Sequence, residues 1–212
     1  MLALEFSSAQ RSVAVANAGR VVSEVIETGG RGTNALAMVD EALREAKVER
    51  EQIECLAVGL GPGSYTGIRA SISVAQGWQL ARGVNLIGIS SAECVAAQAQ
   101  ADGLTGRVNV VIDAQRGELY VASYEIEADE RREIMPLQPM SMEQAQALEK
   151  MGGVMAGPEV TRWLAIGKIL YPRAATLAEL SASRTDFVSG EELEPMYLRE
   201  THFIKAPPPR AF

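Results

Sequence analysis

Histidine is almost missing from this chain. His202 is the sole example, ten residues short of Phe212. Ser-His-Asp or Cys-His nucleophile systems and the paired-histidine metal motifs therefore have too little to draw on. His202 itself, in the proline-rich stretch THFIKAPPPRAF, reads as a surface residue of a terminal tail. Cysteine is scarce too. Cys55 and Cys94 make neither a disulfide framework nor a zinc site. Their apolar neighbourhoods mark both as buried thiols of a protein kept in a reducing, cytoplasmic setting. Apolar runs stop well short of the roughly 20 residues of a membrane span. The opening MLALEFSSAQRSVAVA lacks the basic flank and long apolar core of a signal peptide. Positive charge is also short, with 20 Lys and Arg against 27 Asp and Glu and a net charge of −7. Any dealing with nucleic acid then calls for a partner that brings the basic surface.

What is present is an ordinary folding composition, 47% hydrophobic and 22% charged over 212 residues. LALEF and RSVAVAN read as two short strands, with VVSEVIE a third. A helix over 33–47, capped by Thr33 or Asn34, carries Leu36, Val39 and Leu43 at helical spacing. IECLAVGL is a buried strand. The loop GLGPGSYTGIR leads into a second helix over 66–82, and NLIGI and SSAECVAAQAQ follow as strand and helix.

At 107 the pattern restarts. RVNVVIDAQRGELYVASYEI reads strand, turn, strand, and laid over the N-terminus it sets Asp113 against Glu5. SMEQAQALEK is then a helix, GGVMAG a strand and EVTRWLAIGKIL a further helix; the charge run Asp129 to Glu133 reads as a solvated turn. Two such halves imply an α/β protein of two ribonuclease-H-like lobes, mixed sheets flanked by helices. This is the plan of actin, the sugar kinases and Hsp70 (the ASKHA group), which hold ATP between the lobes. The lobes are placed at 1–104 and 105–200, with a tail at 201–212.

The glycine loop is not a phosphate-binding P-loop. It has no lysine, and Gly59, Gly61, Gly63 and Gly67 do not fit GxGxxG. Gly61, Pro62, Gly63 and Gly67 read instead as an architectural turn. The helix behind it is apolar on several sides, while Ala70, Ser71, Ala75 and Gly77 would let another helix come close. That combination points to a partner interface. In the cleft, Glu5, Ser7 and Asp113 are weak candidates. A nuclease would need three or four carboxylates, and only Glu5, Asp113 and Glu118 offer themselves. A kinase of this plan would use two aspartates, and Glu5 is one methylene too long.

Together LALEFSSAQRSVAVA, AVGLGPGSYTGIRASISVAQGWQLA, GISSAECVAA, VIDAQRGELYVASY and PMYLRE resemble, in that order, the blocks of the TsaB (YeaZ) family. The resemblance runs from residue 1 to about 200. It implies a non-catalytic subunit of the bacterial tRNA threonylcarbamoyladenosine machinery. In that family the paralogue TsaD carries the metal and transfers the threonylcarbamoyl group from its adenylate to N6 of an adenosine beside the anticodon. The ATPase TsaE joins the pair, so ATP and metal belong to the partners and tRNA is met mainly through the complex. The resemblance further implies that TsaD, or a second copy of this chain, docks on the two N-terminal-lobe helices. The contact candidates are then Leu36, Val39, Leu43, Ile68, Ile72, Ala75, Trp78 and Gln79, and Ala75→Glu is expected to block pairing while the monomer stays folded. Departures from the family are Glu5 in place of the common Asp, a helix lead-in GGRGTNALAMVDEAL without the usual His-Ser-Glu, and a short stretch over 125–160.

Overall fold

The computed structural model describes residues 1–29, 34–196 and 198. His202, the 201–212 tail and Thr33 lie outside the described residues. Three antiparallel strands open the chain: β1 (Leu2–Glu5), β2 (Gln10–Asn17) and β3 (Arg20–Thr28). Helix α1 (Ala35–Ala46) follows, its first turn capped by the Asn34 side chain, which accepts from the Leu36 and Ala37 N–H groups. Strand β4 (Cys55–Gly59), helix α2 (Tyr65–Arg82), strand β5 (Asn85–Ile89) and helix α3 (Ser91–Ala101) complete the first half. Ser64 caps α2, and Gly83 at φ 68° ends it in the left-handed region.

The second half repeats the order. Strands β6 (Gly106–Gln115), β7 (Glu118–Ile126) and β8 (Arg131–Ser141) precede helix α4 (Met142–Lys150). Strands β9 (Val154–Gly157) and β10 (Lys168–Ile169) and helix α5 (Ala174–Ser181) close it. The sheets are ordered β3-β2-β1-β4-β5 and β8-β7-β6-β9-β10, the same topology twice. In each, the first three strands are antiparallel and the last two run parallel to the first. The α/β plan of two mixed five-stranded sheets flanked by helices is as expected, and the faint sequence repeat is matched strand for strand in the two sheets.

Several expectations change. EVTRWLAIGKIL is not a helix but a single 3-10 turn, Val160–Arg162, followed by the two-residue β10. Val160 and Leu164 are buried four residues apart, which mimics a helical face. Gly167 instead folds back on Val160, whose methyls a Cβ there would strike. Strand β8 and helix α5 were not foreseen. Pro136 and Pro139 argue against a strand, yet β8 lies at a sheet edge and pairs only with β7, where an absent N–H costs little. The 129–133 run is only in part a turn: Glu127 N–H donates to the Glu130 carbonyl at 2.8 Å, and Arg131 already begins β8. Cys94 is buried, but Cys55 is only half-buried.

The packing also crosses the expected lobe boundary. Ala92, Val95, Ala96 and Ala99 of α3 join the core of the second sheet. Conversely Ala174, Leu177 and Ala178 of α5 pack on Ala3, Ala14, Ala57 and Ile87 of the first. Arg173 forms an ion pair with Glu24 across the same junction. Between α5 and Met196 the chain runs back along the first lobe. Val188 N–H donates to the Leu86 carbonyl at 2.9 Å, Leu193 is 2% exposed in the first core, and Met196 N–H donates to the Leu60 carbonyl at 2.9 Å.

Candidate functional sites in the cleft and on the helical face

The glycine loop between β4 and α2 is packed against the β1–β2 turn. A Cβ at Gly63 would overlap the Ser7 carbonyl, and one at Gly67 the Phe6 carbonyl. Gly61, at φ 87°, begins a cis peptide to Pro62, and Ser64 N–H donates to the Ser7 carbonyl at 2.6 Å. Glycine is therefore required by close backbone approach and by left-handed torsions.

Glu5 is wholly buried and turned into this junction, away from the cleft. One carboxylate oxygen accepts from the Ser7 N–H at 2.7 Å and the other from the Ser91 hydroxyl at 2.9 Å. Ser91 Oγ in turn accepts from the Gly61 N–H at 3.1 Å, and its own N–H donates to the Gly61 carbonyl at 2.8 Å. Gly59 leaves the space that the carboxylate fills. Burial pushes the Glu5 pKa above its ordinary value, against the pull of the hydrogen bonds from Ser7 and Ser91. Glu5 thus locks β1, the glycine loop and the start of α3 to one another, and the expectation that it faces the cleft is corrected.

The cleft itself, about 810 Å³, lies between the β1–β2 and β6–β7 turns. Ser7 and Asp113 do line it, with Arg11, Ser64 and Thr66 from the first lobe and Glu159 and Arg162 from the second. Asp113 spends Oδ1 on the Gln115 N–H at 2.6 Å, in a turn where Gln115, Arg116 and Gly117 all have positive φ. The magnesium-nucleotide arrangement of the fold group does not fit: of its two acidic positions, Glu5 is sealed inside. Among the described residues no three His, Cys, Asp or Glu side chains are gathered for a metal ion.

The second site is on α1 and α2. Of the residues named as contacts, Val39, Leu43, Ile68, Ile72 and Ala75 lie in the chain's own core, at 5% exposure or less, though Val39 also floors the groove described next. Helix α2 turns that side to the sheet. Gln79 is engaged as well, donating to the Val84 carbonyl at 3.2 Å and accepting from the Gly190 N–H at 2.6 Å. Leu36 and Trp78 remain accessible. With Ser73, Val74, Gly77 and Ala81 they line an apolar groove of about 480 Å³ between the two helices, rimmed by Asp40, Arg50, Glu51 and Arg82. Sequence reading found the helices and the apolar Val74 but named neither Val74 nor Ala81 as a contact. Nor did it single out the small Ser73, whose absence of bulk opens the groove.

The family model for TsaD, tRNA N6-adenosine threonylcarbamoyltransferase, matches residues 32–193. The tRNA threonylcarbamoyladenosine biosynthesis protein TsaB of Escherichia coli is 30% identical over 217 residues, 94% of either chain. The protein of that name from Haemophilus influenzae is also 30% identical, over 94% of this chain and 93% of its own. Among solved structures, YeaZ from Pseudomonas aeruginosa superposes with a TM-score of 0.78 at 28% identity, covering 93% of this chain and 98% of that one.

Proposed function

The chain belongs to the TsaB (YeaZ) family of tRNA threonylcarbamoyladenosine biosynthesis proteins, and from that footing we propose that it is a non-catalytic scaffold subunit that docks a TsaD paralogue on its α1–α2 groove. TsaD performs the threonylcarbamoyl transfer to the adenosine N6, and the ATPase TsaE joins the pair in the cytoplasm. The chain contributes surface and no cofactor. When TsaD is lacking, the same groove takes a second copy of this chain.

The observation that carries this reading is the groove. Leu36 is 59% exposed beside half-buried Trp78 and Val74, an apolar strip with a charged rim that water alone covers poorly. Its occupant is a helix, because Gly77 offers no Cβ and Ser73 and Ala81 are small, so a backbone can approach closely.

Transfer to tRNA by purified TsaD, measured with and without this chain, tests the role. Stimulation only with both proteins present is expected; turnover by this chain alone would overturn it. Ala75→Glu no longer serves as the surface probe, since Ala75 is fully buried and a charge there would unfold the chain. Gly77→Arg serves instead: nothing lies within 4 Å of a Cβ there, so the fold is kept and the groove is filled. Loss of both co-purification and stimulation is expected. Undiminished stimulation by Gly77→Arg would move the contact elsewhere.

A further inference from the structure

Arg11 sits on β2 at the cleft wall, 8% exposed, with its guanidinium carbon 5.7 Å from the centre of the Phe6 ring. Its Nε is buried without a hydrogen-bond partner, and no described carboxylate pairs with it within 4.0 Å. A buried N–H left without a partner is costly, and native structures rarely keep one without a use. Among the described residues the other buried orphan of this kind, Arg173 Nε, belongs to a side chain already paired with Glu24. Arg11 has no such partner.

The cleft supplies what an anion on Arg11 would need. The N-terminal turn of the 18-residue helix α2, through Ser64, Tyr65 and Thr66, opens into it, and a helix start favours negative charge. Ser64 and Thr66 bring hydroxyls. Arg162, from the opposite lobe, is a second cation on the lining. Two carboxylates, Asp113 and Glu159, are there as well, so the cleft is balanced rather than strongly positive. A small ligand held by one fork suits it better than a polyanion.

We propose that the interlobe cleft is a metal-independent site for a phosphate-type oxyanion, free or as the end of a small phosphate ester, held by the Arg11 guanidinium and the start of α2. This goes beyond the scaffold reading and stands apart from it, since the cleft and the α1–α2 groove share no lining residue. Arg11 offers a planar fork of donors that matches two oxygens at once.

The test uses the isolated full chain without divalent cations. Inorganic phosphate, AMP and, at matched ionic strength, chloride are titrated while thermal stability and binding heat are followed, for the natural chain and Arg11→Met. Expected are a saturable rise in Tm with phosphate or AMP, none with chloride, and at least about a tenfold weaker Kd in Arg11→Met. Arg11→Met should melt no lower than the natural chain without ligand, since it removes an unsatisfied buried N–H and keeps the bulk. If that variant does not fold, Arg11→Lys decides on the same criterion, because it keeps the charge and loses the fork. Phosphate alone binding identifies the free ion; AMP binding identifies an ester. No saturable binding by either, or equal binding in the variants, would overturn the proposal, whatever TsaD does with the groove.

Discussion

A glutamate at position 5 looks, in sequence, like an active-site acid displaced by one methylene. In the fold that methylene carries the carboxylate past the cleft wall to Ser91, where Gly59 makes room. Sequence could show the acid at a strand end but not its direction, because Phe6, Ser7, Ser8 and Ala9 that follow it are apolar or small. The buried carboxyl leaves a signature in pH. The folded chain holds its proton more tightly than the unfolded chain, whose glutamate has the ordinary value of 4.5. Its favourable contribution is therefore fully present below that value and is lost as pH rises through the raised folded pKa. In Glu5→Gln this loss should vanish: the amide oxygen still accepts from Ser7 N–H, and the amide nitrogen can donate to Ser91 Oγ. The difference in unfolding free energy between the two proteins, followed upward from pH 4, should shift steadily in favour of Glu5→Gln. A flat difference would mean that the carboxyl is solvated.

Helix α2 shows how far periodicity reaches. Its ends were legible, because a proline-glycine loop with a Ser64 cap precedes it and Gly83 follows. Which side faces in was not. Ile68, Ile72 and Ala75 make one apolar side, Val74, Trp78 and Ala81 another, and hydrophobicity alone cannot rank them. The glycines do: Gly67 touches the Phe6 backbone, whereas Gly77 faces open space. Two alanine substitutions in one helix should thus act in opposite directions. Gly67→Ala should destabilise by about 2 kcal/mol or more, from forced overlap with a carbonyl, and Gly77→Ala should stabilise by about 1 kcal/mol through helix propensity. Urea unfolding of the two variants reads both. The false helix at 159–170 has the same lesson, since Val160 and Leu164 keep a helical interval while Gly167 turns the chain back.

Over the whole molecule, the sequence restart at 107 marked the duplication but not the exchange of helices. The first sheet is completed by α5 and Leu193 from the far end of the chain, and the second takes α3 from the first half. Alanine-rich stretches such as AECVAAQAQA and AATLAEL carry no label saying which sheet they cover. The consequence is cooperativity: a 1–104 fragment lacks the cover of Ala3, Ala14 and Ile87, whereas residues 1–196 retain it. Calorimetry should show one transition for 1–196 and no cooperative transition for 1–104. Independent folding of 1–104 would mean the exchanged helices are dispensable.

In the second lobe, the position that α2 holds in the first is reduced to the three residues Val160–Arg162. The repeat is thus deliberately uneven: it carries the α1–α2 groove once. As the docking face proposed above, that groove has a valence of one. Used on another copy of itself, that face closes a two-fold pair and is then spent; used on a different protein, it caps that protein. Under the docking proposed above, the shrinkage of a single helix leaves the second lobe with no groove to match.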